Sequence, residues 1–189
     1  MNKGFTLVEL LIAIVILSLI SVMAFRGLAS VIETRSRLGM ESRKWHDLAL
    51  FFSRFGNDLS RPAHRPVTDE SGNIQPEFSG KPGYSAPNDA DILFTRMGYD
   101  EEGSQRIGYR INGGKIEELV WTHLDQAPGA APKVYTLLDD VSAFQLRYLA
   151  MNDTWGAFWP LPQQPQPKAV EVTVVLNSGE KIVRIFSLI

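Results

Sequence analysis

The chain has 189 residues and no cysteine, which excludes a disulfide framework and thiolate metal sites. Hydrophobic residues make up 44% and charged residues 21%, ordinary values for a folded protein. A formal net charge of −2 carries no basic excess, so nothing argues for nucleic acid as a partner.

The first element is apolar. Lys3 is the one charged side chain before a run from Phe5 to Phe25 whose polar members are Thr6, Glu9, Ser18 and Ser21. At about 1.5 Å rise per residue, a helix over residues 5–25 spans roughly 30 Å, one hydrocarbon core. Glu9 is the anomaly, because a charge at the bilayer centre costs about 3 kcal/mol or more. Three readings compete: a plain anchor, a secretory signal cleaved near Ala24, and a short leader cut before the apolar run. Val22-Met23-Ala24 fits a secretory cleavage site only loosely, and an acid has no place in such an apolar region.

The stretch Lys3-Gly4-Phe5-Thr6-Leu7-Val8-Glu9-Leu10-Leu11 resembles the prepilin motif of type IV pilins and type II secretion pseudopilins. The resemblance implies a leader of residues 1–4, cleavage between Gly4 and Phe5 by a prepilin peptidase, and N-methylation of Phe5 by the same enzyme. A cut there puts a cationic amine on Phe5 one helical turn from Glu9, near the positive end of the helix dipole. The resemblance further implies that Glu9 pairs in an assembly with the Phe5 amine of a neighbouring subunit, a contact suited to fixing register. Arg26, Arg35, Arg37, Arg43 and Lys44 follow the span, and a positive-inside count would hold the large domain in the cytoplasm. The leader motif outweighs that count, and places residues 61–189 in the periplasm of a bacterial cell with a single pass through the inner membrane.

No proline interrupts Arg26 to Leu59. Val31, Leu38, Trp45, Phe52 and Leu59 recur every seven residues, with Leu48 and Phe55 interleaved. This stripe predicts one helix over residues 5–60, with residues 45–59 covered by the protein's own sheet. Residues 26–44, rich in Arg, Ser and Glu, are expected to form a stalk that packs on other helices. Arg61-Pro62 ends the helix.

Residues 62–90 carry five prolines and three glycines and read as a long irregular connection. Strands are then expected over 91–97, 106–111, 115–122, 134–138, 141–150, 170–176 and 182–188. Asn112-Gly113-Gly114 and Asn177-Ser178-Gly179 serve as tight turns. Residues 152–168 form a Trp- and Pro-rich excursion whose Trp155 and Trp159 either form an interaction surface or cap a sheet edge. The expected class is α+β, a long helix packed on an antiparallel meander.

Several further stretches resemble the type II secretion minor pseudopilin J family. They include Phe25-Arg26-Gly27-Leu28, Glu41-Ser42-Arg43-Lys44-Trp45, Gln105-Arg106-Ile107-Gly108-Tyr109-Arg110, Leu137-Leu138-Asp139 and Pro167-Lys168-Ala169-Val170-Glu171-Val172. That resemblance implies a pseudopilin fold with an extended or doubled sheet. It also implies a structural role in a pseudopilus tip with minor pseudopilins I and K, joined by H and the major pseudopilin G, possible contact with exported proteins, and no cofactor. The rival is a minor pilin of a type IV pilus, acting in adhesion, motility or DNA uptake.

Catalytic signatures are missing: the sequence has no G-x-S-x-G, P-loop or G-x-G-x-x-G. His46, His64 and His123 are scattered and form no ligand pair. Relatives in the pilin superfamily bind Ca²⁺, which makes Asp100-Glu101-Glu102 the acidic stretch to consider, though no EF-hand pattern surrounds it. The expectation is therefore no metal and no enzyme.

Overall fold

The computed structural model describes residues 6–84, 86–98, 103–160 and 165–188. They divide into two compact units, residues 1–46 and 47–189. Helix α1 runs Leu7–Leu59. In the first unit its side chains are exposed apart from the half-buried Ser21 and Lys44. The helix is long and apolar enough at this end to cross a membrane.

In the second unit the end of α1 becomes part of a core. Leu48, Phe51, Phe52, Phe55 and Leu59 are buried, at the i, i+3, i+4, i+7 spacing of one helical face. Among the described residues eleven strands follow: β1 (Val67–Thr68), β2 (Ile74–Gln75), β3 (Phe78–Gly80), β4 (Ile92–Met97), β5 (Ser104–Asn112), β6 (Lys115–Val120), β7 (Lys133–Leu138), β8 (Val141–Leu149), β9 (Trp155–Gly156), β10 (Ala169–Leu176) and β11 (Lys181–Ser187). They form two main antiparallel sheets, ordered β3-β4-β5-β6-β7 and β11-β10-β8-β9, beside a small β1-β2 hairpin.

The α+β class holds, but the single meander divides. The break falls at Asp139-Asp140, where Asp140 takes a φ of 64° and turns the chain out of the first sheet. The Asn177 N–H donates to the Asp140 carbonyl at 2.8 Å, and the Asn177 side-chain amide donates to Oδ1 at 2.8 Å, fastening β8 to the second sheet. Local alternation in β7 and β8 satisfies either pairing, so only the long-range partner decides the sheet.

Residues 62–90 are more structured than a loop. They supply β1, β2 and β3, and β3 pairs with β4 through Phe78–Phe94 and Gly80–Ile92. Trp159 joins the two sheets, since its N–H donates to Gly80 O at 2.8 Å and its carbonyl accepts from Gly80 N at 2.9 Å. Its ring is 4% exposed and lies 6.4 Å from that of Tyr148, so Trp159 is core and not a free surface. Trp155 is half-buried in β9, with the Arg147 guanidinium 5.4 Å from its ring.

Phe55 is the centre of this core. Its ring lies 4.7 Å from Tyr109 of the first sheet, and 6.5 and 5.5 Å from Phe144 and Phe186 of the second. Both sheets are thus held by one turn of helix, through edge-on and tilted aromatic contacts of a kind that add about 0.5–1.5 kcal/mol each beyond area burial.

Candidate assembly site at the helix N-terminus and its buried anchor

Glu9 sits in the first turn of α1, exposed but hydrogen-bonded locally. Its Oε2 accepts from the Thr6 N–H at 3.0 Å and from the Thr6 hydroxyl at 3.1 Å, while the Glu9 N–H donates to Thr6 Oγ1 at 3.3 Å. This is a reciprocal capping box, in which Thr6 and Glu9 satisfy donors that a helix start leaves open. The pattern Thr6-x-x-Glu9 was legible as such a box, and the reading from hydropathy alone passed over it. Chemically it holds a carboxylate at the helix N-terminus, bound by one backbone N–H and one hydroxyl. Gly4 and Phe5, the expected cleavage and methylation positions, lie outside the described residues, as do Asp100, Glu101 and Glu102.

The seven-residue stripe divides along the helix. Leu48, Phe52, Phe55 and Leu59 are in the core, whereas Val31 and Leu38 are 55% and 64% exposed. Trp45, expected at the covered end, is 46% exposed. Cover begins one turn later, where Phe51 and Phe55 reach both sheets, and Trp45 instead carries the Lys44 ammonium 5.5 Å from its ring. Phe51, 1% exposed, belongs to the same face and was missed because the heptad count skips it.

The anchor also has a polar part. Asp58 is fully buried, with Tyr109 OH donating to Oδ2 at 2.5 Å and Arg96 Nε 3.1 Å from Oδ1. Arg54 donates from Nε and Nη2 to Glu118 Oε1 at 3.2 and 3.0 Å. Burial pushes the Glu118 carboxyl above its ordinary range, Arg54 pulls it back, and nearby Asp58 pushes it up again. Burial, reinforced by Asp58 and Glu118, raises the Tyr109 phenol well above its usual value. These side chains fix where α1 meets β4, β5 and β6. They bring no nucleophile together with a base. Among the described residues no group of three His, Cys, Asp or Glu is placed to hold a metal ion. His64 Nδ1 lies 3.0 Å from Glu77 Oε1, while His46 and His123 are exposed.

An exposed apolar helix with an acid in its first turn, ending in a core between antiparallel sheets, defines a pilin-like protein. A family model for the prokaryotic N-terminal methylation motif matches residues 1–25, and one for type II secretion system (T2SS), protein J, matches residues 26–188. The chain belongs to the type II secretion system protein J family, structural subunits of the pseudopilin class.

Its relatives agree. It is 32% identical to the type II secretion system protein J of Klebsiella pneumoniae, over 99% of this chain and 95% of that protein. The Escherichia coli protein J is 28% identical over 99% of this chain and 96% of its own length. Among solved structures, a chain of the GspK-GspI-GspJ complex from enterotoxigenic Escherichia coli superposes with a TM-score of 0.65 at 24% identity, covering 77% of this chain and 97% of its own, a likeness of fold.

Proposed function

We propose that this chain is a non-enzymatic minor pseudopilin that resides in the inner membrane, with residues 61–189 in the periplasm. Its leader is removed after Gly4, its new N-terminus at Phe5 is methylated, and the mature helix packs beneath a pseudopilus tip. There it joins minor pseudopilins I and K, with H and the major pseudopilin G completing the assembly that exports folded proteins. The observation that carries this reading is the match of the whole chain to two family descriptions, with Glu9 in the first turn of the apolar helix. The GspK-GspI-GspJ complex of a chain with this fold supports the choice of I and K as partners. The family match disfavours the type IV pilus rival.

Within this reading Glu9 has two successive partners. In the lone subunit it closes the capping box with Thr6; in the filament it exchanges Thr6 for the Phe5 amine of a neighbour. Co-expression of the full chain with a prepilin peptidase, followed by intact-mass measurement, tests the processing step. The mature mass should lack residues 1–4 and gain one methyl group, and Gly4→Ala should keep the full mass. Normal processing of Gly4→Ala would remove the leader assignment. Failure of the mature chain to co-purify with I and K from membranes would remove the tip assignment.

A further inference from the structure

Strand β8 is paired on both edges for only part of its length. On one edge β10 covers it from Val141 to Leu149. On the other edge β9 covers Tyr148 and Leu149 alone. Two hydrogen bonds fix which way each backbone group points. The Ala150 N–H donates toward β9, to Thr154 O at 2.9 Å, while the Leu149 carbonyl accepts from Lys168 N on the β10 side at 2.8 Å. In an antiparallel ladder a residue turns its N–H and carbonyl to one edge, and the next residue turns them to the other. The β8–β10 register is regular from Ala143 to Leu149. Leu146 and Phe144 therefore share the edge used by Ala150 and Tyr148. Among the described residues, their N–H and carbonyl groups have no partner there.

The gap has defined ends. At one, the Val141 N–H donates to Gly114 O at 2.9 Å. At the other, β9 stops at Gly156, and Trp159 bonds to Gly80 instead of β8. Between them lies an open cavity of about 390 Å³. That is within the range of about 300–1,000 Å³ that holds a ligand. Phe144, Gln145, Leu146 and Arg147 all line it. Successive side chains of a strand point to opposite faces, so a cavity touched by four in a row lies against the strand's edge. Ile111 of the larger sheet adds an apolar wall. Thr173, opposite Gln145 on β10, lines the cavity too. It is 7% exposed, and among the described residues its hydroxyl has no hydrogen bond.

We propose that this gap takes a short extended segment of another polypeptide, added as a strand beside Phe144–Arg147 in line with β9. An open stretch of sheet edge binds a strand through main-chain hydrogen bonds and sorts its alternate side chains by what lines each face. Residues opposite Leu146 and Phe144 point to the core face, toward Ile111, and are apolar. The residue between them, opposite Gln145, points to the outer face beside Arg147. Lys81 and Arg147 both line the cavity, with side chains 47% and 52% exposed. The one carboxylate in its wall, Asp91, is engaged by the N–H groups of Gly83 and Ile111 at 2.9 and 3.0 Å. An acid is therefore favoured at the middle position. Lys81 and Arg147 already meet Asp89 and Glu171, so the preference over lysine is modest, about threefold. The recognised pattern is apolar, acidic, apolar. The gap lies within residues 47–189, and its existence does not depend on the role proposed for Glu9.

The test uses the full chain, uniformly ¹⁵N-labelled, in detergent micelles, titrated with the capped peptide Gly-Val-Glu-Val-Gly. The Phe144 and Leu146 amide signals should shift saturably, and their hydrogen exchange should slow by about tenfold or more. In the proposed pairing the two valine N–H groups face β8 and the glutamate N–H faces away. N-methylation of both valines should abolish binding, and N-methylation of the glutamate should change it less than about twofold. Lysine in place of the glutamate should weaken binding about threefold. These arms alter the peptide alone, so no variant of the protein has to fold. Absence of saturation at Phe144 and Leu146, equal effects of the two N-methylations, or tighter binding of the lysine peptide overturns the proposal.

Discussion

The phenol of Tyr109 donates to the carboxylate of Asp58 at 2.5 Å, across the line where α1 meets the larger sheet. Both residues are fully buried, and Arg96 supplies the opposing charge 3.1 Å from the other oxygen of Asp58. A hydrogen bond to a charged acceptor is worth about 1.5–3 kcal/mol. Tyr109→Phe is therefore expected to lower stability by about that amount. Asp58→Ala should cost more, about 3–5 kcal/mol, because it strands the Arg96 guanidinium. Urea unfolding followed by tryptophan fluorescence checks both, and an unchanged midpoint in Asp58→Ala would show that the pair does not anchor the helix.

Glu118 makes stability depend on pH in a defined direction. Burial raises its carboxyl above the ordinary 4.5, against the pull of Arg54. The folded state then holds this proton more tightly than the unfolded chain does. Stability from this group is complete below pH 4.5 and is lost as the pH rises through the folded value. Glu118→Gln removes the titration, so its melting temperature should fall less steeply than the wild type's as the pH rises from 4.5. Parallel curves for the two proteins over that window would contradict the assignment.

Gly80 lies where the two sheets come together. Its N–H and carbonyl both bond to Trp159, and a Cβ added there would overlap the Tyr148 phenol. Tyr148 is 1% exposed and has no room to retreat. Gly80→Ala should destabilise by about 1–3 kcal/mol, as overpacking does. Removing the phenol oxygen with Tyr148→Phe in the same chain should restore part of the loss. An additive double variant would show that the two residues do not interfere.

Glu9 is open to an experiment that separates its capping of the helix from the proposed pairing with a neighbouring subunit. A capping box accepts glutamine in place of glutamate, so Glu9→Gln should keep the helix start, and Glu9→Leu should lose it. Pairing with a neighbour's amine requires the charge. The expected outcome is normal membrane insertion for both variants and loss of co-purification with partner pseudopilins for both. Full recruitment of Glu9→Gln would mean that Glu9 serves its own helix and not the neighbouring subunit.

Much of the fold could be read from the sequence, because it rests on local periodicity. The helix, the turns at Gly113-Gly114 and Gly179, and the seven longer strands have boundaries within about two residues of those expected from alternation and turn chemistry. What stayed hidden depends on partners far along the chain. Asp58 reads as a solvent-facing acid until Arg96 and Tyr109 are placed beside it, though it lies on the helical face of Phe51 and Phe55. β3 is three residues long and is recognisable only through its pairing with β4. Arg106 and Arg110 sit four residues apart on one strand, yet among the described residues only Arg110 forms an ion pair with a carboxylate, and no spacing rule announces that difference.

Among the described residues, the aromatic core of the second unit begins at Leu48. The globular unit, residues 47–189, is therefore expected to carry a complete core of its own. In the role proposed above, a subunit built this way would keep its globular unit folded on the way from bilayer to filament, because that core draws on residues of the second unit.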